Sequence, residues 1–181
     1  MKLPSPEEAV RLMREAGCSP NVVEHCINVT RTAMNLADSI LKRGFELDID
    51  LVEVGALMHD LGRSRTHGVE HGAIGGKLAR GLGLPEALAR VIERHVGAGI
   101  PCDEAELLGL PRGSYVPETL EEKIVAYADK LVEGNKLVDI EVTVEKFANE
   151  LGGDHPALDR LRALHDEMVS LMAPSPGISQ F

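Results

Sequence analysis

At 181 residues, with 44% hydrophobic and 27% charged side chains, the chain has the composition of a soluble globular protein and enough length to bury one substantial core. A formal net charge of −10 opposes general binding to nucleic acid or to an anionic membrane, and admits a small anionic ligand only where local cations or a metal override the global sign. No apolar run is long enough to cross a bilayer, no signal-peptide core follows Met1, and three unpatterned cysteines (Cys18, Cys26, Cys102) imply no disulfide framework, so the expected compartment is the cytoplasm.

Aromatic side chains amount to only 3%, with no Trp, so recognition of single strands by base stacking has little to work with. In chain order, Ser5-Pro6-Glu7-Glu8 reads as a capping box opening a short helix that stops at Gly17. Ser19-Pro20 opens a long helix to about Gly44, with His25 in its first two turns beside the apolar face of Val22, Val23, Cys26 and Ile27. Asp50, with Glu53 three residues on, starts a helix that ends at His59-Asp60, with Gly62 as its C-cap. Residues 63–70 read as a loop, and a helix follows from His71. Pro85 begins another that ends at His95, broken by Gly97 and Gly99.

Residues 97–118, rich in Gly and Pro, read as a surface excursion with one helical turn at Glu104–Leu108, of the kind that forms lids or binding loops. Thr119-Leu120-Glu121-Glu122 is a second capping box, opening a helix to Gly134 that carries Asp129 close to its apolar stripe. Two further helices fall near Val144–Leu151 and Pro156–Met172, and the tail from Pro174 reads as frayed. Leu137–Val142 alternates, but the signal is short and alone. The expected fold is all-α, a single-domain helical bundle over 1–181, with a core at about 20–135 and C-terminal helices at 143–173 packing on it.

The chemistry concentrates at Ala56-Leu57-Met58-His59-Asp60-Leu61-Gly62-Arg63. An apolar helix there ends in a histidine beside an aspartate, and burying either unpaired costs several kcal/mol. A divalent cation satisfies both, because neutral imidazole and carboxylate are good ligands. Neighbours on a helix point about 100° apart, so the two converge on one ion only if other helices supply ligands from the sides. His25, His71, His95 and Asp129, each flanked by apolar residues at helical spacing, are the candidates.

The order His25, His59-Asp60, Asp129 resembles the HD superfamily of metal-dependent phosphohydrolases, with its H…HD…D pattern on a helical bundle. His59-Asp60-Leu61-Gly62 resembles the HDIG form of the signature, with Leu for Ile. His71-Gly72-Ala73-Ile74-Gly75 and Arg94-His95 resemble the extra histidines of two-metal members, and Lys123–Asp129 resembles the segment around the last aspartate. The resemblance spans roughly residues 20–135. It implies that His25, His59, Asp60 and Asp129 hold a first metal and His71 and His95 a second, with Asp60 bridging. Arg63 stands where many HDIG members have Lys. Val96 replaces the second His, and the Gly-Tyr-Pro signature, of the cyclic-dinucleotide phosphodiesterases is missing, so neither a third metal nor that substrate is expected.

The implied ligands are all nitrogen and oxygen, with no thiolate, which suits one or two ions of Fe, Mn, Co, Ni or Zn. Two such ions could activate water against phosphorus, so the expected activity is hydrolysis of a phosphomonoester or phosphodiester of a small nucleotide-like or cyclic phosphate. Asp60, Arg63 and His67 are the candidate catalytic residues. Arg63 and Arg65 sit where bidentate contacts clamp a phosphate, a solvated basic loop being the alternative for both. His67 is a candidate proton donor to the leaving group or a plain loop histidine. Lys77 and Lys130 read as exposed-face residues that could also reach phosphate. His155 belongs to a helix start, His165 carries no assigned chemistry, and Asp103-Glu104 and Glu121-Glu122 read as solvated faces. A di-iron oxygenase and a non-catalytic nucleotide-sensing module are the competing classes. The amphipathic last helix (Leu158, Leu161, Leu164, Met168, Leu171) packs internally or against a second copy in a homodimer.

Overall fold

Helix starts in this chain are set by side chains that satisfy the orphan backbone N–H groups of a first turn. In the computed structural model, which describes residues 2–173, Ser5 accepts from Glu8 N at 3.2 Å while the Glu8 carboxylate accepts from Ser5 N at 2.8 Å, a reciprocal box that opens α1 (Pro6–Glu15). The tail from Pro174, expected to fray, lies outside the described residues. Ser19 caps α2 (Pro20–Leu41) by accepting from Val22 N at 3.4 Å. The next cap is Asp48 rather than the expected Asp50: its Oδ1 accepts from Leu51 N at 3.0 Å and starts α3 (Ile49–Met58), while its own N–H is taken by Glu121 Oε1 at 3.0 Å.

Past α3 a 3-10 turn (Leu61–Ser64) leads to α4 (His71–Gly81) and α5 (Glu86–Arg94). The 97–118 excursion is more ordered than its composition suggests. It holds α6 (Cys102–Leu107), closes on itself through Tyr115 N to Ile100 O at 2.9 Å, and buries Ile100, Ala105, Leu110 and Tyr115 in a small cluster with Ala73. Thr119 caps α7 (Leu120–Lys130), but the second half of the expected box is absent, because Glu122 turns elsewhere. Of the alternating stretch only Leu137 is strand: Lys136–Leu137 (β2) pairs antiparallel with Val132–Glu133 (β1) across Gly134, whose φ of 60° suits glycine. The rest of that alternation is not strand: Asp139 caps α8 (Ile140–Leu151), which begins four residues before the sequence signal, and α9 (Pro156–Met172) closes the described chain. No helix among the described residues is long and apolar enough to cross a membrane.

The expected all-α fold is thus met, with the hairpin as its only sheet among the described residues. α2, α3, α5 and α7 pack into the main core, and α9 covers it with Leu158, Leu161, Leu164 and Met168, which are buried within the chain. Two features hold the site-bearing elements at fixed separation. Gly62 is not a helix cap; it is where the 3-10 turn crosses α4, and a Cβ there would lie 1.8 Å from His71 O and 2.8 Å from Gly75 N. The second is an ion pair whose acidic member, Glu122, was expected on a solvated face. Glu122 is buried and accepts from Arg94 Nη1 at 3.0 Å and from Glu118 N at 2.7 Å, tying α5 to α7.

Gly62→Ala is expected to destabilise the fold by about 3 kcal/mol or more, the upper end of overpacking costs, since only backbone surrounds the added methyl. Gly81→Ala, with nothing within 4 Å, should be neutral or stabilising by about 0.5–1 kcal/mol. Urea denaturation of the two variants measures the contrast. Arg94→Met should cost about 3–5 kcal/mol by leaving Glu122 buried and unpaired, and the double variant Arg94→Met/Glu122→Leu should recover most of that loss in the same assay.

Candidate metal centre

Six side chains from five segments meet at one interior point. His25 comes from the second turn of α2 and Asp129 from the last turn of α7. His59 and Asp60 come from the end of α3, His71 from the first position of α4, and His95 from the residue after α5. The imidazoles crowd together, with ring centroids 5.4 Å apart for His25–His59, 4.8 Å for His59–His95 and 4.9 Å for His71–His95.

Their orientation follows from local backbone needs. His59 and His95 sit just past helix ends, where the last carbonyls lack a helical partner, and their Nδ1 atoms lie 2.7 Å from Ala56 O and Ile92 O. His71 Nδ1 reaches Gly68 O at the same distance. A carbonyl only accepts, so each Nδ1 carries the proton and each Nε2 faces inward. Burial, then the neighbouring His95, depress His71 to about 3, and burial also holds His95 below the histidine norm. Both rings are therefore neutral near pH 7, with inward Nε2 lone pairs only 3.0 Å apart. Asp60 Oδ1 stands 3.3 Å from the first and 3.5 Å from the second. Three acceptors face one another with no proton between them.

The other half of the site is built around His59. Its Nε2 lies 3.5 Å from Asp129 Oδ1 and 3.8 Å from Asp60 Oδ2, and makes no hydrogen bond among the described residues although fully buried. His25 Nε2 is 2.9 Å from Asp129 Oδ1. Asp60 thus turns one oxygen to each half. Burial raises its carboxyl, but His59 and His95 overcome that and hold it far below the usual carboxylate range. Asp129 is held down likewise, with Lys130, His25 and His59 outweighing burial. His59 moves the other way. Burial opposes its charged form, yet the Cys26 sulfur and the Asp60 carboxylate beside it draw it above the histidine norm. The surroundings demand positive charge. His25, His59 and Asp129, and separately Asp60, His71 and His95, are spaced as two donor triplets that could hold divalent ions.

The remaining candidates fall in different places. Arg63 donates from Nε to both Asp60 oxygens at 3.0 and 3.1 Å, and from Nη1 to His67 O at 3.1 Å, and so fixes the Asp60 carboxylate. Arg65 turns away, to Ala16 O at 2.9 Å, and Lys77 is exposed on α4. Lys130, expected on an exposed face, is mostly buried against Asp129. His155 caps α9, as expected, and His165 Nδ1 meets Tyr127 OH at 2.8 Å. The exposed His67 lies on the rim of a two-lobed cleft above the cluster. One lobe, about 580 Å³, is lined by His25, Asp129, Lys130, Thr143, Lys146 and Glu133. The other, about 470 Å³, is more apolar and runs past Val96, Leu107, Phe147 and Leu151 to Arg160. The α8 wall carried no sequence signal beyond its helical period.

The HD domain family matches residues 22–133. An uncharacterized protein of Methanocaldococcus jannaschii is 49% identical over 92% of this chain and 98% of its own length. A tRNA (cytidine(56)-2'-O)-methyltransferase of Picrophilus torridus is 35% identical over 93% of this chain, which spans 48% of that protein. A Ribonuclease Y of Pseudothermotoga lettingae is 30% identical over 84% of this chain, which spans 30% of it. No solved structure matches the chain significantly. Helical architecture, the His/Asp constellation and these matches agree, and the chain belongs to the HD domain family.

Proposed function

We propose that the chain is a metal-dependent phosphohydrolase acting on a small, phosphate-bearing, nucleotide-like or cyclic substrate. The observation that carries this is the facing of His71 Nε2 and His95 Nε2 at 3.0 Å over Asp60 Oδ1, an arrangement of acceptors that a cation completes. His25, His59 and Asp129 would hold one ion and His71 and His95 another, with Asp60 between them. When bound, divalent ions supply Lewis-acid polarisation of a phosphoryl oxygen and activation of water.

The protein's own groups account for the other requirements. Arg63 keeps Asp60 oriented through its bidentate contact. Lys130 and Lys146 line the polar lobe, each paired with a carboxylate, Asp129 and Glu133, so a phosphate there would draw its countercharge chiefly from bound cations. His67, on the rim of both lobes, is placed to pass a proton to a leaving oxygen. The excess of acidic over basic side chains favours a small substrate over a polymer. Relatives named as a ribonuclease and a tRNA methyltransferase direct the substrate search to RNA-derived phosphates, including 2′,3′-cyclic ends.

Asp60→Ala should lose bound metal and phosphate release together, measured by elemental analysis and by a screen across nucleotides and cyclic phosphates. A metal-free variant that keeps full turnover would refute the assignment. Oxygen uptake by the iron-loaded protein, in place of phosphate release, would instead identify an oxygenase. His67→Gln should slow hydrolysis of esters with poor leaving groups by about 100-fold and leave p-nitrophenyl esters nearly unaffected, a contrast read from steady-state rates.

A further inference from the structure

A third set of donors shares His59 and Asp60 with the two triplets already described. Cys26 Sγ, a His59 ring nitrogen and an Asp60 carboxylate oxygen lie within 4.8 Å of one another, and all three residues are buried. Cys26 follows His25 on α2, but the two sit differently: His25 is partly open to the cleft, whereas Cys26 is 1% exposed and packs in the core. Sulfur therefore reaches the cluster from a buried position, away from the face a substrate would use.

A buried cysteine often acts only as a small hydrophobe. The environment of this one differs, because His59 beside it is fully buried and has one nitrogen committed to Ala56 O and the other without a hydrogen bond among the described residues. The other buried cysteine, Cys18, is accounted for: its Sγ lies 3.7 Å from Leu61 O and 3.9 Å from Met13 Sδ, against backbone and a thioether rather than donors of the cluster.

We propose that Cys26 supplies a sulfur ligand to the ion held by His59, so that the centre has a mixed nitrogen, oxygen and sulfur donor set. On loading, a metal–sulfur bond forms, the S–H bond breaks, and the proton leaves to solvent. A thiolate shifts preference towards Zn, Co and Fe(II) and away from Mn and Mg. This set would add sulfur to the nitrogen and oxygen ligands expected from the histidine and aspartate pattern.

The inference rests on the metal-binding reading above, and X-ray absorption of the zinc-loaded, desalted full chain separates the two. The expected spectrum contains a sulfur scatterer at about 2.3 Å beside nitrogen and oxygen at about 2.0–2.1 Å. Cobalt loading should add a near-ultraviolet sulfur-to-cobalt band. Both signals should vanish in Cys26→Ser and in Cys26→Val and persist in Cys18→Ser, and zinc affinity should fall at least about tenfold in the Cys26 variants. A zinc-loaded wild-type protein with only nitrogen and oxygen neighbours overturns the sulfur ligand and leaves the metal centre standing. A sulfur signal that disappears with Cys18 instead also overturns it, and a protein that takes up no metal overturns both.

Discussion

The structure depends on one arrangement, the meeting of two neutral imidazole nitrogens and a carboxylate oxygen that can all accept and cannot donate. Such a cluster is unfavourable in a dry interior unless positive charge joins it. The surrounding fold is organised to prevent its escape. Backbone carbonyls of Ala56, Gly68 and Ile92 fix which nitrogen of each ring faces inward. The glycine crossing at residue 62 holds Asp60 against His71, and the Arg94–Glu122 pair holds the helix before His95 against the helix carrying Asp129. The protein thereby keeps a destabilising constellation in place, as expected where chemistry rather than stability decided the residues.

Helix type and order were legible because apolar residues recur at helical spacing and caps carry a local signature; Ser5, Ser19 and Thr119 all serve as N-caps, although only Ser5 completes a reciprocal box. Candidate site residues were legible for a related reason: an ionisable group inside an apolar stripe stands out. What stayed hidden depends on distant partners. Nothing near Glu122 shows that Arg94 waits opposite it, and its neighbour Glu121 looks the same in sequence yet reaches Asp48 instead. Asp48 and Asp50 are equally good caps by type, and the choice between them is made by tertiary contact. Gly62 looked like a stop signal because glycine at a helix end usually supplies a left-handed turn, whereas here it supplies space.

The cleft above the cluster has two chemically different lobes. One lobe is lined by charged and hydroxyl groups, the other by leucines, valine and phenylalanine, and His71, Val96 and Phe147 border both. A molecule bound at the centre would meet two different surroundings, lined in part by α8 and the 97–118 excursion, neither of which supplies a histidine to the cluster.

The wide spacing of the converging residues has a consequence for the chain as a polymer. His25 and Asp129 are 104 positions apart, with the other groups distributed between them. An ion gripped by all of them ties several large loops at once, as a clasp fastens a long ribbon. Conformations of the denatured ensemble that keep the clasp shut are few, so occupancy raises the free energy of opening by mass action while the empty chain unfolds more readily. Catalytic competence and resistance to heat would then share one variable, the free concentration of the ion.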